Sequence, residues 1–353
     1  MPFNKSKAGP NLAVSIIVPC RNEEDSIEDC VRSILDQELL PNGIELIVAD
    51  GMSTDRTRGI LTRLALEDDR VRVMDNPGRI VSSGLNAAIA VSRGEIIMRM
   101  DAHTLYARDY IRQCLAVLHQ TGVENVGGPA RTNGKKYVQT AISAAYHSPF
   151  AVGGARFHDP DYEGYVDTVP YGCWPREVFY RIGLFDEELI RNQDDEFNLR
   201  LIRSGGRIWQ SPRIKSWYRT RGSLADLFRQ YRQYGYWKVR VIQKHRLPAS
   251  IRHLVPAGFI LSLVMLMLTS LWWAPSIWGF MVLSGIYLVC NLGASIVTAC
   301  KKGWRLVPIL PLVFAIYHVS YGLGFLQGIW DFLIIRRGPH RSMVTLTRHS
   351  AVR

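Results

Sequence analysis

The chain has 353 residues, enough for one large domain or two smaller ones with a full hydrophobic core. It carries 43 Lys and Arg against 31 Asp and Glu, and the basic residues gather over 200–252 and 301–353 beside long apolar runs, so a membrane surface explains them better than nucleic acid does. The six cysteines show no CxxC pair and no matching His spacing, which argues against a zinc site or a disulfide framework and leaves free thiols as the expectation.

Taken in order, Leu12 to Val18 is apolar and strand-like, too short for a signal peptide, and runs into Arg21-Asn22-Glu23-Glu24-Asp25 without a small-residue cleavage site. It predicts a first buried strand ended by Pro19, followed by a helix with Ile27, Val31, Ile34 and Leu35 at helical spacing. Ile44 to Ala49 is a second strand ending in Asp50-Gly51, with Ser53 or Thr54 as the expected cap of a helix carrying Ile60, Leu61 and Leu64. Val71 to Met74 is a third strand. After Asn76-Pro77-Gly78 a small-residue helix, Ser83 to Val91, leads through Gly94 to the strand Ile96-Ile97-Met98-Arg99-Met100 and then to Asp101-Ala102-His103. Such alternation predicts an α/β layer with a mostly parallel sheet. Ligands bind such sheets at the carboxyl ends of the strands, so Pro19 to Glu23, Asp50 to Asp55, Arg79 and Asp101 to His103 should converge on one crevice. Asp101 and His103 flank one small residue; in an extended turn both face the same way and hold one divalent cation, whose other positions a diphosphate fills. The loops contain neither GxGxxG nor GxxxxGK[ST], which argues against a dinucleotide fold or a P-loop.

Further on, Tyr171 and Trp174 read either as core aromatics or as a surface on which a ligand ring could stack. His147, His158 and Cys173 pair with nothing and are assigned packing or surface roles. Asp194, Asp195 and Glu196 precede Phe197, Leu199, Leu201 and Ile202, which places them at a helix amino terminus. There, capping and dipole complementation compete with a role as general base. From Leu224, apolar residues interleave with Arg229, Arg232, Lys238, Arg240, Lys244 and Arg246, predicting a basic amphipathic helix over 224–252 in the lipid headgroup zone. Leu254 to Trp273, Ser276 to Cys300 and Leu306 to Ile335 then have membrane lengths. Lys301, Lys302 and Arg305 after the second stretch put that side, and the catalytic region with it, in the cytoplasm. Pro308 and Pro311 are expected to break the start of the third stretch, which contains the polar His318, Gln327 and Asp331. It is expected to be a third span, with a re-entrant hairpin or an interfacial segment as alternatives, its polar residues serving helix packing or a passage for a ligand.

Val14-Ser15-Ile16-Ile17-Val18-Pro19-Cys20-Arg21-Asn22-Glu23-Glu24, then Asp50-Gly51-Met52-Ser53-Thr54-Asp55-Arg56-Thr57, then Met100-Asp101-Ala102-His103 resemble the ordered motifs of inverting glycosyltransferases of family 2. Tyr171-Gly172-Cys173-Trp174-Pro175-Arg176, Gly183-Leu184-Phe185-Asp186-Glu187 and the run from Asn192 to Leu201 extend the likeness over roughly residues 12 to 245. The pattern is similar to the ExoA-type succinoglycan-biosynthesis glucosyltransferases, which share the Asp-Ala-His triplet and a membrane-embedded carboxyl end. The resemblance implies the GT-A nucleotide-diphospho-sugar transferase fold, placed over 1–223, ahead of the amphipathic helix over 224–252, the membrane domain of two to three helices over 253–335 and the basic tail over 336–353 expected from the pattern of the residues. It also implies a nucleotide-sugar donor and a divalent metal.

On the matching positions, Pro19, Asn22 and Glu23 would line the nucleoside pocket, Asp50 would accept a hydrogen bond from uracil, and Asp101 would contact the ribose and the metal with His103. Arg79 would add a cation at the phosphates. Asp194 matches the Asp of the family's Glu-Asp motif and is the implied base, with Gln193 standing where Glu is usual and Asp195 as the alternative. The family's Asp-Asp-Gly-Ser is here Asp50-Gly51-Met52-Ser53, and its Asp-x-Asp is Asp101-x-His103; the imidazole shifts the expected metal from Mg²⁺ toward Mn²⁺. Gln230 and Tyr234 lie in a stretch that loosely resembles the Gln-x-x-Arg-Trp element and are acceptor-site candidates with Tyr171 and Trp174; the missing Arg-Trp pair argues against processive synthesis. The implied function is a multi-pass plasma-membrane enzyme with a cytoplasmic catalytic domain, moving a hexose from UDP-glucose to a polyprenyl-linked saccharide in exopolysaccharide assembly. Alternatives are a polyprenyl-phosphate glycosyltransferase and a non-catalytic scaffold or transporter-associated subunit.

Overall fold

The computed structural model describes residues 14–38, 43–134, 136–248 and 250–345; Leu12 and the part of the basic tail beyond residue 345 lie outside them. In chain order the elements of the first part are β1 (Val14–Cys20), α1 (Ile27–Leu35), β2 (Ile44–Asp50), α2 (Thr57–Glu67), β3 (Val71–Asp75), α3 (Val81–Val91), β4 (Ile96–Arg99), β5 (Thr104–Tyr106), α4 (Tyr110–Thr121), β6 (Asn125–Gly127) and β7 (Arg131–Asn133). There follow α5 (Tyr137–Tyr146), α6 (Pro149–Val152), β8 (Gly164–Tyr165), β9 (Cys173–Pro175), α7 (Glu177–Ile182), α8 (Gln193–Arg203), β10 (Ile208–Gln210) and β11 (Ser216–Arg219). The rest is helical: α9 (Leu224–His245), α10 (Val255–Thr269), α11 (Ser276–Lys302), α12 (Leu310–Gly328) and α13 (Arg341–Val344). Packing divides the described residues into two units, one within 14–131 and 159–219, the other within 132–158 and 220–345. The helices over 132–158, expected within the region 1–223, thus group with the second unit.

In the first unit eight strands form one sheet in the order β3-β2-β1-β4-β9-β6-β10-β8. β3, β2, β1 and β4 run parallel, and β9 turns antiparallel to β4. Both faces of the parallel half are covered, which is why its strands read as continuous apolar runs. Ile16 and Val18 of β1 pack on one side with Val31 and Ile34 of α1 and Leu61 of α2, while Ile17, pointing the other way, packs with Leu85 and Ile89 of α3 and Phe197 of α8. Each side chain buried so completely contributes about 1.5–3 kcal/mol.

Two strand ends differ from expectation. β1 runs past Pro19 to Cys20, with Pro19 opposite Ala49 of β2. The Ile17 carbonyl accepts from Met100, so Ile17 faces β4, and Pro19, two residues on, faces the same side; β4 has ended there at Arg99 and no ladder bond is lost. β4 in turn stops before Asp101. The Tyr106 hydroxyl takes the Asp101 amide at 2.7 Å, and Thr104 N–H donates to the Asp101 carbonyl at 3.1 Å, so Asp101-Ala102-His103-Thr104 is a tight turn into β5 rather than an extended one. β5 pairs antiparallel with β11.

In the second unit, Ile251–Thr269, Ser276–Lys302 and Leu310–Ile334 are long and apolar enough to cross a membrane. Pro311 lies in the first turn of α12, where its missing N–H costs nothing, so it starts the helix instead of breaking it. The polar residues of this third helix are engaged in packing: His318 bonds Tyr287 at 3.0 Å and the Phe150 carbonyl at 2.8 Å, and Gln327 accepts from Arg232 at 2.7 Å. Asp331, in the π-helical turn Ile329–Ile334, accepts from the Tyr236 hydroxyl at 2.9 Å and from Arg337 at 2.7 Å. These bonds support helix packing over a passage.

The helix α9 differs most from its sequence reading. Tyr236, Trp237, Lys238 and Val239 are all buried, and α12 takes up the side expected to lie among headgroups. Three glycines permit this approach: a Cβ on Gly324 would overlap the Arg232 carbonyl, one on Gly235 would overlap the Tyr321 carbonyl, and one on Gly328 would stand 2.7 Å from the Tyr236 carbonyl. Gly324→Val is therefore expected to destabilise the detergent-solubilised protein by about 1–3 kcal/mol or more. Gly258→Ala, on a surface with open space, should leave the melting temperature unchanged. Equal melting temperatures for the two variants would refute the close-packed seam.

Candidate active site

The loops that follow β1 and β2 interlock before any ligand is considered. Asn22 N–H donates to Ser53 Oγ at 2.9 Å, Ser53 Oγ donates to Asp50 Oδ1 at 2.5 Å, and Thr54 N–H donates to Asn22 Oδ1 at 2.8 Å. Ser53 and Thr54 thus serve the loop, and it is Asp55 that accepts from the first-turn amide of α2, Thr57 N–H, at 3.0 Å. Asp50 is buried and its second oxygen faces Arg58 at 3.4 Å, so this carboxylate already closes a turn. Asn22, Met52 and Arg79 sit at φ of 52°, 57° and 60°, a left-handed conformation that non-glycine residues enter only when their surroundings impose it. Arg79 is exposed at the end of the loop after β3.

At the end of β4 the structure brings Glu23, Arg99, Asp101, His103 and Asp194 together from three parts of the chain. Glu23 Oε1 lies 3.1 Å from His103 Nδ1, bringing the β1 loop onto the turn after β4. Tyr218 of β11 packs edge-on against the His103 ring, centroids 5.3 Å apart. Arg99, only 5% exposed, donates through Nε to Asp101 Oδ1 at 2.9 Å and through Nη2 to Asp101 Oδ2 at 3.2 Å. Its Nη1 is buried without a hydrogen-bond partner, 3.8 Å from Asp194 Oδ2. Burial opposes the Arg99 charge, yet Asp101 and Asp194 outweigh it and hold the guanidinium above its ordinary range. The Asp101 carbonyl also receives Cys30 Sγ at 3.4 Å, a thiol that burial pushes well up and keeps protonated.

Asp194 lies in the first turn of α8 with 39% of its side chain exposed, and its Oδ1 accepts from Asp195 N–H at 2.9 Å. Glu196 is buried and bound by Arg200 through two bonds of 3.0 and 2.8 Å, which gives it a structural role. The sheet thus brings together Glu23, Asp101, His103 and Asp194. It does not make Trp174 a sugar platform: the indole is 1% exposed among Phe179, Phe185 and Phe197. Tyr171 is also buried, its hydroxyl 2.7 Å from Thr104 Oγ1, and burial raises its pKa. Gln230 and Tyr234 belong to the second unit, where Gln230 Nε2 donates to the Tyr234 hydroxyl at 2.7 Å and its Oε1 accepts from Arg221 at 2.9 Å. Arg99 escaped the sequence reading, although a cation inside a buried strand, two residues before Asp101, was a usable signal.

Among the described residues no three His, Cys, Asp or Glu side chains form a metal-binding group. One carboxylate and one imidazole from a single turn do not hold a structural metal alone, but they fit a divalent cation completed by phosphate oxygens and water. Arg99 occupies one position on each Asp101 oxygen, and a carboxylate has about four, so its bonding leaves room for such a cation.

Known proteins resemble the chain over most of its length. The family profile described as Glycosyl transferase family 2 matches residues 15–179. The succinoglycan biosynthesis protein ExoA of Rhizobium meliloti is 30% identical over 326 residues, 90% of this chain and 95% of that protein. A dolichyl N-acetyl-alpha-D-glucosaminyl phosphate 3-beta-D-2,3-diacetamido-2,3-dideoxy-beta-D-glucuronosyltransferase of Methanococcus voltae is 26% identical, covering 90% of this chain and 97% of that one. The mannosyltransferase PcManGT of Pyrobaculum calidifontis, solved with GDP-Man and Mn²⁺, superposes with a TM-score of 0.56 at 19% identity over 94% of this chain and 91% of its own, and so shares the GT-A fold.

Proposed function

Because the chain belongs to glycosyltransferase family 2, we propose that it is a membrane-anchored, metal-dependent inverting transferase that moves a hexose from a UDP-sugar, UDP-glucose first, to a lipid-linked saccharide. The observation that carries this reading is the pair of carboxylates, Asp101 and Asp194, on either side of Arg99 at the carboxyl edge of the parallel strands. Asp101 serves the donor side with His103, whose Nδ1 lies 3.1 Å from Glu23 Oε1, a carboxylate contact of the kind that orients a metal-binding imidazole. When bound, a divalent cation supplies positive charge to the leaving diphosphate. Asp194 takes the proton of the acceptor hydroxyl as its oxygen bonds to the anomeric carbon and the bond to the diphosphate breaks; one displacement of this kind inverts the centre. Pro19, Asn22 and Asp50 form the nucleoside wall on the interlocked loops, with Arg79 at the phosphates.

The relatives support the acceptor class. The Methanococcus protein is named for a sugar carried on dolichyl phosphate, and the Rhizobium protein for an exopolysaccharide. The anchor is residues 253–335, and the exposed Lys301, Lys302 and Arg305 after its second helix support, by the positive-inside rule, a catalytic region on the cytoplasmic side, where nucleotide sugars are found.

The test offers labelled UDP-glucose, UDP-galactose and GDP-mannose with Mn²⁺ or Mg²⁺ to the purified protein, with either a polyprenyl-diphosphate-linked sugar or polyprenyl phosphate as acceptor. Label is expected on the saccharide, from a UDP-sugar, as a linkage of inverted configuration. Label on polyprenyl phosphate alone would favour the lipid-phosphate enzyme, and no transfer from any donor would favour the scaffold.

A further inference from the structure

We infer that Arg99 is a positioning residue of the transfer reaction, holding the donor-side carboxylate Asp101 and the acceptor-side carboxylate Asp194 in one register; the inference rests on the functional reading above. Arg99 lies in β4 between Met98 and Met100, both fully buried, where an apolar side chain would avoid the desolvation cost of a guanidinium. The fork on Asp101 is bidentate, at 2.9 and 3.2 Å, which fixes the carboxylate's plane as well as its place. The third nitrogen, Nη1, is buried, has no hydrogen bond, and its charge partner on the other side is Asp194 at 3.8 Å. A shift of about 1 Å closes that gap to hydrogen-bond length. Asp101 belongs to the turn after β4 and Asp194 to the first turn of α8, 93 positions later by their numbers, so a single rigid side chain spans the two halves of the site. A lysine carries one compact charge and cannot reproduce the fork.

Arg99→Met and Arg99→Lys are compared with wild type for turnover, donor KM and calorimetric binding of UDP with Mn²⁺. Arg99→Met is expected to lose about 10–100-fold in nucleotide–metal affinity and a comparable factor in kcat, the range seen when the residue orienting a metal-binding carboxylate is removed. Arg99→Lys is expected to keep the fold and recover part of the nucleotide affinity, while kcat stays low. Combined with Asp194→Asn, the Arg99→Met change should add only its loss of donor binding; full multiplication of the two kcat losses would overturn the shared register. Wild-type kcat and affinity in Arg99→Lys would also overturn it, and that variant decides the matter if Arg99→Met does not fold. If wild type transfers no sugar, the functional reading fails, while UDP–Mn²⁺ binding still reports on the hold of Arg99 over Asp101; unchanged binding in Arg99→Met then removes the inference too.

Discussion

Asp194→Asn is expected to slow sugar transfer by about 10²–10⁴-fold, the usual worth of a positioned general base, while UDP binding stays within a few-fold of wild type. Asparagine keeps the size of the side chain and an oxygen that accepts the Asp195 amide, now received by Asp194 Oδ1 at 2.9 Å, so the start of α8 survives the change. What it loses is the lone pair that takes a proton and the charge that faces Arg99 Nη1 at 3.8 Å. Asp194 is also far more exposed than Glu196, which Arg200 neutralises, and this exposure favours the former as the proposed base. Single-turnover kinetics with a saturating UDP-sugar check this directly. A wild-type rate would shift the base to Asp195, the neighbouring acid on the same turn, and the same substitution there would then carry the loss.

The parallel half of the sheet was legible because strands covered on both faces leave a continuous apolar run, and their order places every loop of interest on one edge. The triplet Asp101-Ala102-His103 was legible for the same reason, standing where such a run ends. The pairings across that edge were not. Glu23 and His103 are 80 residues apart in sequence and meet only because β1 and β4 are neighbours. Neither Ser53 nor Thr54 takes the capping role expected from spacing, since the polar loop after β1 engages both through Asn22, and the Thr57 amide bonds Asp55 instead. α9 misled for a different reason. Its interleaved basic and apolar residues have the pattern of an interfacial helix, while the glycines of its partner, Gly324 and Gly328, lie some 90 residues away, and only the packing shows that they let α12 cover it.

Removing the donor-side carboxylate should have an effect of the same order as removing the base. Asp101→Asn is expected to lower kcat/KM by about 10²–10³-fold, as the loss of one group stabilising transition-state charge does elsewhere, and chelation of the wild type should reproduce most of that loss. The neighbours make the outcome specific. In Asp101→Asn the buried Arg99 keeps its charge but loses its main partner, with Asp194 the remaining carboxylate, so the variant should also melt at a lower temperature than wild type. His103→Asp separates metal binding from this structural cost. It restores the Asp-x-Asp pattern but sets a second carboxylate beside Glu23, where Nδ1 now stands 3.1 Å away. Two like charges at that distance repel until a cation arrives, so the variant should be less stable than wild type without metal and gain more in melting temperature from metal plus UDP. With oxygen replacing nitrogen in the donor set, the activity ratio of Mg²⁺ to Mn²⁺ should rise. If His103→Asp leaves both the metal-induced shift and that ratio where they are in the wild type, His103 is not a ligand, and the metal is held by Asp101 and the diphosphate alone.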